Sequence, residues 1–142
     1  MTEMVEKDEW SLTPTRAHIL LYSDNANVRE QVKFAVGSEI SGRKVRWLEA
    51  ATYPAVLSAV DDREFDLLIL DGEAAKYGGM GIARQVRYEQ YNCPPILLLV
   101  GRKQDAWLAT WSEADGAVAH PLDAFEVRAA VEQFFATAAA DA

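Results

Sequence analysis

Four short polar segments interrupt an otherwise apolar pattern: Ser23-Asp24-Asn25, Asp71 with the loop "GEAAKYGG" behind it, Gly101-Arg102, and His120-Pro121. Leu67 to Leu70 has the character of a buried strand, and it ends on the lone carboxylate of Asp71. A carboxylate in such a place is a nucleophile toward phosphoryl groups, or an oxygen ligand for a hard cation. Asp24 has the same chemistry available, and it is equally a residue type that caps a helix. His120 offers an imidazole, which ordinarily gains its charge near pH ~6.5. The Asp71 stretch therefore reads in two ways: as a phosphate-chemistry site, or as a site that has lost its chemistry and kept its acid.

Those segments need elements to position them. The runs "HILLY" (18–22), "FDLLIL" (65–70) and "ILLLV" (96–100), the alternating "KVRWLEA" (44–50) and the short "GAVA" (116–119) predict five strands. Helical spacing of Val28, Val32, Ala35 and Val36 predicts a helix over 25–36 that ends at Gly37. Thr52 can cap a second helix, with Pro54 in its first turn and Val56, Ala59 and Val60 on one face. Further helices are predicted over 81–91, with Ile82, Ala83 and Val86 inward, and over 103–114. The last starts at Asp123 with Glu126 completing a capping box, and turns Val127, Ala130, Val131 and Phe134 inward. Strands apolar on both faces, joined by helical crossovers, imply an α/β fold: a doubly wound, five-stranded parallel sheet with five helices. In such sheets the ligand site lies at the carboxyl ends of the strands, which is where all four polar segments fall.

Length and composition bound the function. The chain of 142 residues fits one domain, expected over 16–136, between a flexible acidic tail (1–15) and a frayed C-terminus (137–142). Trp10 is expected to be disordered with the tail; the alternatives are that it anchors to a partner or folds back on the domain. A net charge of −8 gives no general attraction to nucleic acid or to anionic membrane. Cys93 is the only cysteine and fits a reducing compartment. The N-terminal residues lack a signal peptide's apolar core, and no apolar run is long enough to span a bilayer. The expected location is cytoplasmic.

Taken in order, the four segments resemble those of two-component receiver (response-regulator) domains, over about 17–135. That family has an acidic pair after strand 1, a phosphorylated aspartate ending strand 3, a Thr or Ser ending strand 4, and Lys-Pro after strand 5. The matching stretches are "LLYSDN", "LILDGEAAKYGG", "LLLVGR" and "AVAHPLD", and Gly79 stands where the family carries a glycine. The resemblance implies a flavodoxin-like strand order of 2-1-3-4-5 and a phosphoacceptor at Asp71. It implies a weakly held Mg2+ ion on Asp24, Asp71 and the backbone carbonyl of Glu73, and a protein partner such as a histidine kinase, another regulator or a larger enzyme complex. The departures are specific. Ser23 replaces the first acid, Gly101 the hydroxyl residue and His120 the lysine, and Ala117 stands where many receivers carry an inward-swinging aromatic.

Phosphoryl transfer depends on positioning and charge neutralisation, so these losses weaken both transfer and its readout. The sequence is therefore read as an atypical, stand-alone receiver-like domain that works as a protein-interaction or regulatory module and is not an enzyme. The alternative is a conventional regulator phosphorylated on Asp71. A flavodoxin-like cofactor binder is disfavoured, because "YSDNANV" lacks a Gly- and hydroxyl-rich phosphate loop. Trp107, Trp111, Phe125 and Phe135 are the expected partner-face aromatics.

Overall fold

The computed structural model describes residues 10–74, 79–90, 92–105, 107 and 113–141, with the backbone alone at 79–80 and 137–141. The element order is β1 (Arg16–Tyr22), α1 (Ala26–Val36), β2 (Glu39–Ile40), β3 (Arg43–Ala50), α2 (Tyr53–Asp62), β4 (Leu67–Asp71), α3 (Gly79–Glu89), β5 (Ile96–Val100), a 3-10 turn (Lys103–Asp105), β6 (Gly116–Ala119) and α4 (Ala124–Asp141).

The sheet order is β2-β3-β1-β4-β5-β6. From β3 to β6 every pairing is parallel, in the expected flavodoxin-like order. The sheet nevertheless has six strands and is mixed, because the two-residue β2 adds antiparallel to β3. Its turn, Ser41-Gly42, has φ of 48° and 79° at the two central residues. Positive φ at both suits a tight hairpin, and glycine takes that conformation without steric cost. Of the five expected helices, four are α-helices among the described residues. The helix expected over 103–114 begins as the 3-10 turn, and 106 and 108–112 lie outside the described residues.

Helix starts follow local chemistry. Thr52 accepts from the Ala55 amide at 3.3 Å. Asp123 accepts from Phe125 and Glu126 at 2.8 and 3.1 Å. At α1 the cap is Asn25, which accepts from the Asn27 amide at 2.9 Å, so Asp24 is not the capping residue. Gly37, at φ 79°, ends α1 and donates to the Lys33 carbonyl.

Alternation along the strands builds two cores. Leu20, Tyr22, Leu68, Leu70 and Leu98 pack under α2 and α3 with Val56, Ile82 and Val86. Ile19, Leu21, Leu67, Ile69 and Leu97 pack under α1 and α4 with Val32, Val36, Val127 and Val131. Each such side chain fully buried is worth ~1.5–3 kcal/mol. Phe135 belongs to this second core at 2 % exposure, which removes it from the expected partner face. It continues the Val127–Val131 spacing on α4, and the Arg43 guanidinium lies 5.4 Å from its ring. The inner stripe of α4 is wider than the sequence indicates because the helix also packs on α1 and β2.

Trp10 is buried as well, folding back to close the first core at the amino end of the sheet. Its ring lies 5.1 Å from that of His18 and 5.5 Å from that of Phe65. The guanidiniums of Arg46 and Arg63 stand 5.0 and 5.1 Å from its centroid. No helix among the described residues is long and apolar enough to cross a membrane.

Candidate functional site

The carboxyl ends of β1, β4, β5 and β6 bring the four polar segments to one rim of the sheet. Register fixes their relative heights: Tyr22 pairs with Leu70, Asp71 with Leu99, and Val100 with Ala119. The segments that leave the strands remain tied to the sheet. The Ser23 amide donates to the Ala50 carbonyl at 3.2 Å, Gly72 to Leu99 at 2.7 Å, and His120 to Val100 at 2.7 Å.

Ser23 is fully buried. Its hydroxyl donates to Asp71 Oδ2 at 2.8 Å and accepts from the Asn25 amide at 3.1 Å. Its carbonyl accepts from Arg29 Nη1 at 2.6 Å. Arg29 is held in turn by Glu49 at 3.1 Å, and Glu49 also takes Lys33 at 3.0 Å. A charged network on the outer surface thus fixes the backbone that aims the Ser23 hydroxyl. Arg29 is a positioning residue that sequence reading missed; it lies one turn into α1, facing β3.

Asp71 is 3 % exposed. Its Oδ1 accepts from the Glu73 amide at 3.0 Å and lies 3.3 Å from His120 Nε2. An ionised carboxylate only accepts, so this contact puts a proton on Nε2. It is an ion pair when the imidazole is protonated. Hydrogen bonds to a charged group are worth ~1.5–3 kcal/mol each. The buried acid is therefore satisfied from both sides by groups of the chain itself. Close by, burial pushes the Tyr22 phenol up, with the charges of Asp24 and Asp71 adding to it.

The remaining expected positions fall as follows. Asp24 is exposed beside the site. Glu73 is exposed, and its amide, not its carbonyl, makes the contact with Asp71. Gly101 and Ala117 are half-buried and bring neither a hydroxyl nor an aromatic ring. The His120–Pro121 peptide is cis. Trp107 and Phe125 are 65 and 86 % exposed, whereas Trp111 lies outside the described residues.

The expected Mg2+ cradle was Asp24, Asp71 and the Glu73 carbonyl. Among the described residues no three His, Cys, Asp or Glu side chains gather as metal ligands. Ser23 stands where a further acid would be needed, and both Asp71 oxygens already accept from chain donors. The expected set thus brings two carboxylate side chains and one carbonyl, one carboxylate fewer than an acid at residue 23 would give. The order Ser23–Asp71–His120 is not a nucleophile relay of the serine–histidine–acid type either, because the carboxylate stands between serine and imidazole and the imidazole does not contact the hydroxyl.

No family model matches the chain. Two curated proteins from two strains of Mycobacterium tuberculosis, each named an uncharacterized response regulatory protein, are 49 % identical over 111 residues, covering 77 % of this chain and 84 % of theirs. Among solved structures, the chemotaxis response regulator CheY4 of Vibrio cholerae superposes with a TM-score of 0.71 at 22 % identity, over 84 % of this chain and 99 % of that one. The beryllofluoride-activated DrrB receiver domain gives 0.67 at 20 % identity, over 85 % and 98 %. A CheY-like receiver domain protein of Methanospirillum hungatei gives 0.70 at 15 % identity, over 89 % and 98 %.

Proposed function

The chain belongs to the response-regulator receiver family, and we propose that it is an atypical member, a protein-interaction module whose output does not depend on phosphorylation of Asp71. The observation that carries this reading is the way Asp71 is held. In place of a second acid, which would need a cation beside it, Ser23 donates directly to Oδ2, while Glu73 and His120 serve Oδ1. The carboxylate has donors from its own chain, and neither a lysine at residue 120 nor a hydroxyl at residue 101 stands ready to receive a phosphoryl group. A ligand shifts a conformational equilibrium only through contacts that differ between the two states. Gly101 and Ala117 supply none of the side-chain atoms for such contacts.

The partner is a cytoplasmic protein: a histidine kinase, another regulator or a larger enzyme assembly. The exposed rings of Trp107 and Phe125 are the candidate contacts. Neither nucleic acid nor direct membrane insertion is part of this reading, since a net charge of −8 opposes both polyanions and anionic lipid. The competing reading, conventional phosphorylation at Asp71, is favoured by the position of that acid and by the imidazole beside it.

Incubation with Mg2+ and acetyl phosphate, followed by intact mass and Trp fluorescence, separates the two. The proposal expects the unmodified mass and an unchanged spectrum. A stable phosphoryl adduct that disappears in Asp71→Ala and changes the fluorescence would overturn it.

A further inference from the structure

Gly101 lies one residue past the end of β5, and the space beside its Cα is filled. A Cβ built there would stand 2.8 Å from Cδ of Glu73 and closer still to its Oε1. The Glu73 side chain thus folds back across the end of β5, into the place where any side chain at residue 101 would begin. Its backbone is fixed at the other end, since the Glu73 amide donates to Asp71 Oδ1 at 3.0 Å. Glu73 therefore spans from the candidate acceptor to the position that carries no hydroxyl. Its negative charge also reaches Arg102, next along the chain, where it adds to the larger effect of Asp105 in pushing that guanidinium up.

We propose that Glu73 is the specificity-determining residue of the Asp71 site. Its carboxylate is a resident anion, admitted by the absence of a side chain at Gly101, and it excludes phosphoryl-type anions by occupancy and by charge. This rests on the reading of Asp71 given above and names the residue responsible. Glycine at 101 and glutamate at 73 are then a matched pair. Restoring a hydroxyl at 101 moves the flexible end of Glu73 aside but leaves its negative charge beside the site, so anion binding stays weak until that charge is removed as well. Removing the charge alone opens the site only in part, because the oxygen donor is still missing.

The test uses the full chain as wild type, Glu73→Ala, Glu73→Gln, Gly101→Ser and the Glu73→Ala/Gly101→Ser double variant. Each is titrated with fluoroberyllate in the presence of Mg2+, and protein-bound fluorine is read by 19F NMR. The double variant is expected to bind at least tenfold more tightly than Gly101→Ser, which stays close to wild type. Glu73→Gln, which keeps the shape and drops the charge, is expected to gain several-fold. A Gly101→Ser variant that binds as well as the double variant would overturn the occupancy argument. A Glu73→Gln variant with no gain would overturn the charge argument.

Thermal melting gives a readout independent of anion binding. The change in Tm on Gly101→Ala should be less favourable in the wild-type background than in Glu73→Ala, where no side chain has to move aside; equal changes in both would sink the matched pair. Wild-type binding of fluoroberyllate as tight as that of the double variant would overturn exclusion by Glu73, whereas a fluorescence change on binding would count against the functional reading above.

Discussion

The carboxyl rim of the sheet buries an acid, Asp71, and the amino rim an imidazole, His18, and the two are treated in opposite ways. At the carboxyl rim Asp71 is 3 % exposed, with Ser23, Glu73 and His120 directed at its two oxygens. At the amino rim His18 is fully buried under Trp10 and Phe65, and neither ring nitrogen has a hydrogen-bond partner of normal length. Burial pushes the His18 imidazole down. The Asp66 carboxylate and the Trp10 carbonyl offset this in part, while Arg46 and Arg16 add to it. One rim is built to hold a charge and the other to keep a neutral ring dry. The difference separates a site from a plug: a buried charge needs donors, and an aromatic stack supplies none.

The largest effect expected from breaking this contrast lies at the plug. Trp10→Ala should cost about 3 kcal/mol in urea unfolding, since it opens the end of a packed core. A loss smaller than ~0.5 kcal/mol, the size of an ordinary surface change, would return residues 10–15 to the status of a tail.

The next effect depends on pH. Folded His18 binds a proton less readily than the unfolded chain does. Between the unfolded value near pH ~6.5 and the lower folded one, the unfolded chain holds more protons, so stability falls as pH falls through that window. His18→Leu should flatten that part of the stability curve. A variant as acid-sensitive there as wild type would show that the buried imidazole is not the cause.

At the polar rim, Ser23→Ala should cost ~1.5 kcal/mol, the loss of one hydrogen bond to a charged acceptor. Ser23→Asp sharpens the point by placing a second acid beside Asp71. Its Tm should rise with added Mg2+ while that of wild type does not. A wild-type Tm that climbs with Mg2+ would mean that the Ser23 hydroxyl does not take the place of a cation.

The smallest effects belong to the exposed rings. Trp107→Ala and Phe125→Ala should each change stability by less than ~0.5 kcal/mol, because both side chains lie mostly in water.

Much of this architecture was legible in the sequence. Apolar runs located the five parallel strands, Thr52 and Asp123 announced their helices, and the order of Ser23, Asp71, Gly101 and His120 announced which segments meet at the carboxyl rim. What escaped depends on contacts between residues far apart in the chain. Phe135 continues the Val127–Val131 spacing, but Phe134 beside it is as apolar, and the contacts of α4 with α1 and β2 decide which ring lies deepest. Trp10 reads as a tail residue until Arg46, Arg63 and Phe65 surround it. His18 looks like one polar residue opening an apolar run, and its burial follows from Trp10. The hairpin strand β2 had a local signal in Ser41-Gly42, but two residues are too few to show a period. The contact of Glu73 with Gly101 had none, since a glycine does not state what fills the space beside it.

The central claim is that Asp71 is satisfied by its own chain and does not drive a switch. An amide 1H–15N NMR titration of the wild-type protein with Mg2+ and fluoroberyllate addresses it most directly. The account predicts spectra unchanged at Val100, Ala117 and His120 up to saturating probe. Saturable shifts at those residues that vanish in Asp71→Ala would contradict it.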